Sequence, residues 1–165
     1  MTVTDDNGIP PGFEQLPEGL GFTDSLQPIY RRIEENEVRF GLRIESHHSN
    51  SLGICHGGVL MTLADITAAS GVNMARGKLA GSPTVNLAVD FINAARQGEW
   101  LEGRAEQVSL KRRFGFCSGA IYGERGIVAR FNGTFYQPDH DGMVKEGAVG
   151  DGVLRGLAPA SDGKS

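Results

Sequence analysis

One stretch of this chain has the length and spacing of a helix, and it stands among segments whose apolar residues alternate with period two. The stretch runs from His56-Gly57-Gly58 to Arg76-Gly77. Val59, Leu60, Leu63, Ile66 and Met74 recur at helical spacing, and Arg76 followed by Gly77 predicts the helix end. Its other positions are mostly Ala, Ser, Thr and Gly, so a sheet can wrap it closely. Upstream, Val38, Phe40, Leu42 and Ile44 alternate with Arg39, Gly41 and Arg43, which predicts a strand with one buried face. Downstream of Pro83, Val85, Leu87, Val89 and Phe91 oppose Thr84, Asn86, Ala88 and Asp90. Three further strands follow over 100–112, 114–123 and 127–136, with turn signals at Gln97-Gly98 and Glu124-Arg125-Gly126. A single helix inside a run of antiparallel strands predicts an α+β fold, its curved antiparallel sheet wrapped around one long central helix.

Composition sets the boundaries of what such a domain can do. The 165 residues suit one domain with a real core. Residues 1–12, acidic at the start and broken by Pro10 and Pro11, read as a flexible N-terminal arm with no signal-peptide core. The body spans 13–136, and the tail 137–165, with five glycines between Gly142 and Gly156, is expected to be mostly disordered. A net charge of −4 gives no overall pull toward nucleic acid or an anionic membrane, so an anionic ligand needs a local basic cluster. No apolar run approaches the length of a membrane span. Cys55 and Cys117 are too few for a disulfide framework, which makes a reducing, cytoplasmic compartment the expectation.

The densest chemical signal is Asn50-x-x-Gly53-x-x-His56-Gly57-Gly58, with Asp65 eight residues after Gly57. Two glycines at a helix start leave backbone N–H groups unpaired at the positive end of the helix dipole, a place that holds an oxyanion without any side chain. Asp65 lies two turns into the helix between Leu63-Ala64 and Ile66, where a carboxylate is either solvated or used. Desolvation there would make it a stronger base than a surface Asp. Each feature also has a plain reading: a tight turn for the glycines, a solvated face for Asp65, a cap for His56.

In combination, this motif resembles the hotdog-fold acyl-CoA thioesterases of the phenylacetate-degradation (PaaI-like) type, over roughly residues 36–136. The resemblance implies hydrolysis of acyl-CoA or aryl-CoA thioesters with no metal or cofactor. It implies Asp65 as general base on water or as nucleophile, and the Gly57 N–H on the carbonyl oxygen. Asn50 and His56 would orient the thioester or the water. Thr84 matches a Ser/Thr that positions the water, with Ser82 as the other candidate in that segment. Lys111, Arg112 and Arg113 match the region where family members hold the phosphates of CoA; a solvated turn is the plain alternative. A non-catalytic acyl-CoA-binding hotdog protein is the rival reading. The pairings of a hotdog dehydratase or hydratase are not found.

His47 and His48 with Cys55 and His56 fit no standard zinc spacing, and Cys55 has no orienting group that would make it a nucleophile. Cys117, Trp100 and Phe135 are expected to pack. Geometry adds one consequence. Eight residues of helix span about 12 Å, so Gly57 and Asp65 of one chain cannot both touch one thioester carbon. A site that uses both needs two chains with antiparallel helices, hence a homodimer as catalytic unit. The resemblance suggests a homotetramer.

Overall fold

A computed structural model describes residues 7–77 and 81–139 of the chain. The predicted helix is α1 (Gly57–Arg76), and the strand before it is β3 (Glu37–Arg43). The four strands after it are β4 (Thr84–Phe91), β5 (Trp100–Leu110), β6 (Phe114–Gly123) and β7 (Gly126–Tyr136). Two strands precede them: β1 (Glu14–Gln15) and β2 (Tyr30–Glu34). All seven pair antiparallel into one sheet of order β1-β2-β3-β5-β6-β7-β4. The period-two pattern did not reveal β2, because Tyr-Arg-Arg-Ile-Glu offers too few apolar residues to alternate; it forms by turning back on β3, with Glu34 opposite Glu37.

Helix α1 ends where Gly77 adopts a left-handed conformation (φ +68°) and its N–H caps the Asn73 and Met74 carbonyls. The helix packs on the sheet through Val59, Leu60, Leu63, Ala64, Ala68 and Val72, over a core that includes Phe40, Leu42, Leu101, Ile121 and Phe135. Small residues on both layers set the separation. A Cβ on Gly71 of α1 would stand 2.6 Å from the Ala105 Cβ. On the sheet, a Cβ on Gly103 would overlap the Thr67 hydroxyl, and one on Gly115 would overlap Val72. The close wrapping expected from the helix therefore depends equally on two sheet glycines.

The alternating residues of β4 behave differently from those of β3. Val38, Phe40 and Leu42 are buried, whereas Val85 and Phe91 are 58% and 55% exposed. The reason is position: β4 is the edge of the sheet and pairs with β7 alone. Of the N-terminal arm, residues 7–12 lie against the outer side of the sheet, where Ile9 is buried and Arg43 donates to the Gly8 and Gly98 carbonyls. Trp100 lies over Gly41 beside Phe13, its ring centroid 5.1 Å away. Residues 1–6 and the tail from 140 onward are outside the described residues.

The seating of α1 yields a direct test. Gly103→Ala should lower stability by about 1–3 kcal/mol, the usual cost of overpacking a filled core, read as a lower denaturation midpoint. An unchanged midpoint would mean that the sheet glycines do not set the helix position.

Candidate active site

The loop before α1 is built on its own polar groups. Asn50 Oδ1 accepts from the Leu52 and Ile54 N–H groups at 2.9 and 3.4 Å, and its carbonyl accepts from Gly53 at 3.0 Å. Gly53 takes φ +72°, which suits a residue without a Cβ. The Asn50 side-chain oxygen is thus used within the loop, and its amide NH2 is what remains to meet a ligand. His56 is the N-cap of α1, its Nδ1 accepting from the Gly58 N–H at 2.8 Å. With Gly58 satisfied by His56, and Val59 and Leu60 by the His56 carbonyl, the Gly57 N–H has no hydrogen-bond partner among the described residues. It stands at the positive end of a 20-residue helix.

His48 holds this loop in place from below. Fully buried, it accepts the Glu45 N–H at Nδ1 (2.9 Å) and donates from Nε2 to the Leu26 carbonyl (2.8 Å). Its own carbonyl accepts the His56 N–H at 2.8 Å. That pairing requires a neutral imidazole, and burial lowers the His48 pKa from its ordinary value. The sequence motif did not show this role, because nothing in the spacing tells that His48 lies beneath the loop carrying Asn50 and His56.

Asp65 occupies a separate place. Its Oδ1 accepts a hydrogen bond from Thr84 Oγ1 at 2.7 Å, and Oδ2 has no partner among the described residues. Of the two candidates in that segment, Thr84 is the one that reaches Asp65, whereas Ser82 is buried and donates to Asn73 Oδ1 at 2.6 Å. The burial of Asp65 expected from the sequence is not met within one chain. Asp65 is half-buried, on α1 beside the half-buried Met61, Thr62 and Ile66.

Gly57, His56 and Asn50 are therefore grouped at the start of α1, and Asp65 with Thr84 two turns on. Beside Gly57 opens a cavity of about 280 Å³ lined by Leu60, Phe91, Ile92, Ala95 and Asn50. The Phe91 ring lies 3.5 Å from where a Cβ on residue 57 would be. The cavity joins the loop, the helix start and the end of β4, which spacing along the chain could not bring together.

Lys111, Arg112 and Arg113 form the turn between β5 and β6, closed by the Lys111 N–H on the Phe114 carbonyl at 2.7 Å. Lys111 and Arg112 are exposed, while Arg113 donates to the Tyr136 hydroxyl at 3.2 Å and pairs with Asp139 at 2.8 Å. Thr84 opposes Phe135, which opposes Gly115. The turn thus lies at the end of the sheet where β4 begins, with Gly115 about two strand spacings or 10 Å from Thr84. Cys55 and Cys117 are buried and unbridged, and burial pushes both thiols up to about 12. Neither supplies a thiolate.

The sequence profile of the thioesterase superfamily matches residues 52–129. A Pseudomonas aeruginosa protein named as an esterase is 33% identical over 131 residues, which cover 79% of this chain and 98% of that protein. The phenylacetic acid degradation protein PaaI of Thermus thermophilus superposes with a TM-score of 0.60 at 26% identity, over 67% of this chain and 93% of that one. Zebrafish thioesterase superfamily member 2 gives a TM-score of 0.65 at 24% identity, over 73% and 89% of the two chains, a likeness of fold.

His48 makes the site region sensitive to acid. Its folded pKa lies below the ordinary 6.5, so below that pH the unfolded chain binds the proton that the folded chain resists. The His48 contribution to stability should be complete above about pH 6.5 and should decline as pH falls from there toward the lowered folded value. Chemical denaturation at pH 7.5 and 5.5 measures it. His48→Gln should flatten that slope, and an unchanged slope would remove His48 as its source.

Proposed function

The chain belongs to the thioesterase superfamily, and from that premise we propose that it hydrolyses acyl-CoA or aryl-CoA thioesters to free acid and CoA. The observation that carries the reading is the Thr84–Asp65 hydrogen bond, which fixes one carboxylate oxygen and leaves Oδ2 open. A water that donates to Oδ2 can give its second hydrogen to the Thr84 oxygen lone pairs, so both groups aim it. Asp65 takes the proton, the hydroxide adds to the thioester carbon, and the carbonyl oxygen becomes an oxyanion on the Gly57 N–H. Collapse of the tetrahedral intermediate breaks the C–S bond, and the proton held by Asp65 leaves with the CoA thiol. The Asn50 amide NH2 and the His56 cap orient the thioester at the helix start.

Gly57 and Asp65 come from two copies of the chain in this reading. Within one chain Phe91 abuts Gly57 while Thr84 bonds Asp65, so β4 runs opposite to α1. Pairing the open β4 edges of two copies about a two-fold axis brings Asp65 and Thr84 of each to Gly57 of the other. That pairing also covers Val85, Phe91 and Ile92, which are 58%, 55% and 45% exposed in one chain. It would bury the half-buried Asp65 as well. Two such dimers make the homotetramer that the resemblance implies. Lys111 and Arg112, with Arg113 partly committed to Asp139, would meet the CoA phosphates. No described helix is long and apolar enough to cross a membrane, and the two free buried thiols suit a reducing cytoplasm.

A panel of acyl-CoA and aryl-CoA thioesters with free-thiol detection tests the activity. Asp65→Asn preserves the contact with Thr84 but cannot take a proton, so kcat should fall by about a hundredfold or more. Near wild-type turnover in this variant would remove Asp65 from the mechanism. Tight binding of thioesters with no hydrolysis by the wild type would favour a non-catalytic binder.

Asn50→Ala and Asp65→Asn proteins, each nearly inactive, test the two-chain site when unfolded and refolded as an equal mixture. Half the dimers are then mixed, each with one doubly damaged and one intact site. Activity should recover to about a quarter of wild type. No recovery, with subunit exchange confirmed by mass, would place the site within a single chain.

A further inference from the structure

The hydroxyl that bonds Asp65 does not stand where alternation along β4 would put it. Leu87 and Val89 lie opposite Gly133 and Phe131, on the face of the sheet that meets α1. Counting back by twos, Val85 would share that face and Thr84 would point away from the helix. The register instead shifts between Thr84 and Asn86. Thr84 lies opposite the buried Phe135, and the exposed Val85 is the extra residue of a β-bulge. The bulge thereby moves Thr84 to the helix side, where its Oγ1 reaches Asp65 at 2.7 Å.

A bulge alone leaves the end of an edge strand free to turn, and this one is pinned from both layers. Ser82 Oγ donates to Asn73 Oδ1 of α1 at 2.6 Å, and both residues are buried. The Pro83 carbonyl accepts the Tyr136 N–H of β7 at 2.9 Å. Thr84 then bonds α1 again through Asp65, so three consecutive residues are anchored. The ring of Pro83 fixes its own φ and holds Ser82 extended, which leaves few free torsions between the Ser82 and Thr84 side chains. A direction set at Ser82 is therefore carried to Thr84. An apolar contact between the same elements would hold them together without fixing that direction, which a hydrogen bond does.

Resting on the thioester reading above, we infer that Ser82 is a positioning residue of the reaction. With Asn73 and the bulge at Val85, it aims the Thr84 hydroxyl at one oxygen of Asp65 and so sets the other oxygen toward the water. Ser82 itself touches no reacting atom.

Ser82→Ala removes the donor and leaves Thr84 and Asp65 chemically intact. On the best thioester of the panel, kcat should fall between about tenfold and a hundredfold with KM unchanged, the scale on which small misplacements of reacting groups are felt. Because Ser82 acts through Thr84, the double variant Ser82→Ala/Thr84→Val should be no slower than Thr84→Val alone. Losses that multiply, or a wild-type kcat in Ser82→Ala, would overturn the inference. The exchange Thr84→Val/Val85→Thr alters two exposed positions and tests the bulge even where Ser82→Ala does not fold. It should be as slow as Thr84→Val. Restored turnover would mean that position 85 faces Asp65 and that no bulge directs the hydroxyl. Crystal structures of the wild type and Ser82→Ala read the arrangement without turnover, with Thr84 Oγ1 bonded to Asp65 in the first and displaced in the second. If no thioester is hydrolysed but the displacement is seen, the role of Ser82 in aiming Thr84 stands and the enzymatic reading falls. If thioesters are hydrolysed and Thr84 stays on Asp65 in the variant, the enzymatic reading stands and Ser82 is not its positioning residue.

Discussion

The close seating of one small-residue helix against a curved sheet is the constraint on which the rest of this molecule depends. Gly71 on the helix, with Gly103 and Gly115 on the sheet, removes the Cβ atoms that would hold the layers apart. The apolar positions of α1 then reach the strand residues directly, and ten of its 20 residues are buried. Dense packing of this kind holds rigidly whatever is attached to the helix. The two halves of the candidate site are attached to it: the unpaired Gly57 N–H at its start and Asp65 two turns along.

Because eight residues of helix span about 12 Å, those two groups are separated by a distance the chain cannot close. The cap arrangement sharpens this. His56 satisfies Gly58 and leaves Gly57 open, while Thr84 orients Asp65 with its second oxygen open. In the two-chain reading each half of the site is held in place and is completed by the other copy. The unpaired β4 edge, with its exposed Val85 and Phe91, lies between the halves and is where the proposed second copy docks. In the proposed reaction catalytic geometry and assembly are one problem, since the stiffness that positions each group also prevents one chain from using both.

Support for the site comes from groups that take no part in bond making. His48 ties three segments together through both ring nitrogens and its carbonyl, and it does so only while neutral. Its protonation would free the Glu45 N–H and loosen the loop that carries Asn50. A buried histidine bonded at both ring nitrogens thus ties the order of the loop that carries Asn50 to pH through folding free energy.

Periodicity in the sequence was enough to place α1, its Gly77 stop and the strands β3 to β7, because spacing along one element is a local property. The motif from Asn50 to Gly58 and the carboxylate at Asp65 were legible for the same reason, each lying within one loop or one helix. Strand β2 escaped because its partner, not its own apolar content, makes it a strand. The exposure of β4 escaped because alternation reports which residues share a face, and only the strand order says that no neighbour covers the edge. Thr84 over Ser82, His48 beneath the loop, and the cavity that joins Leu60 to Phe91 were decided by tertiary structure alone. Each depends on which element lies beside which, and contact across distant segments leaves no period in the chain that could be read.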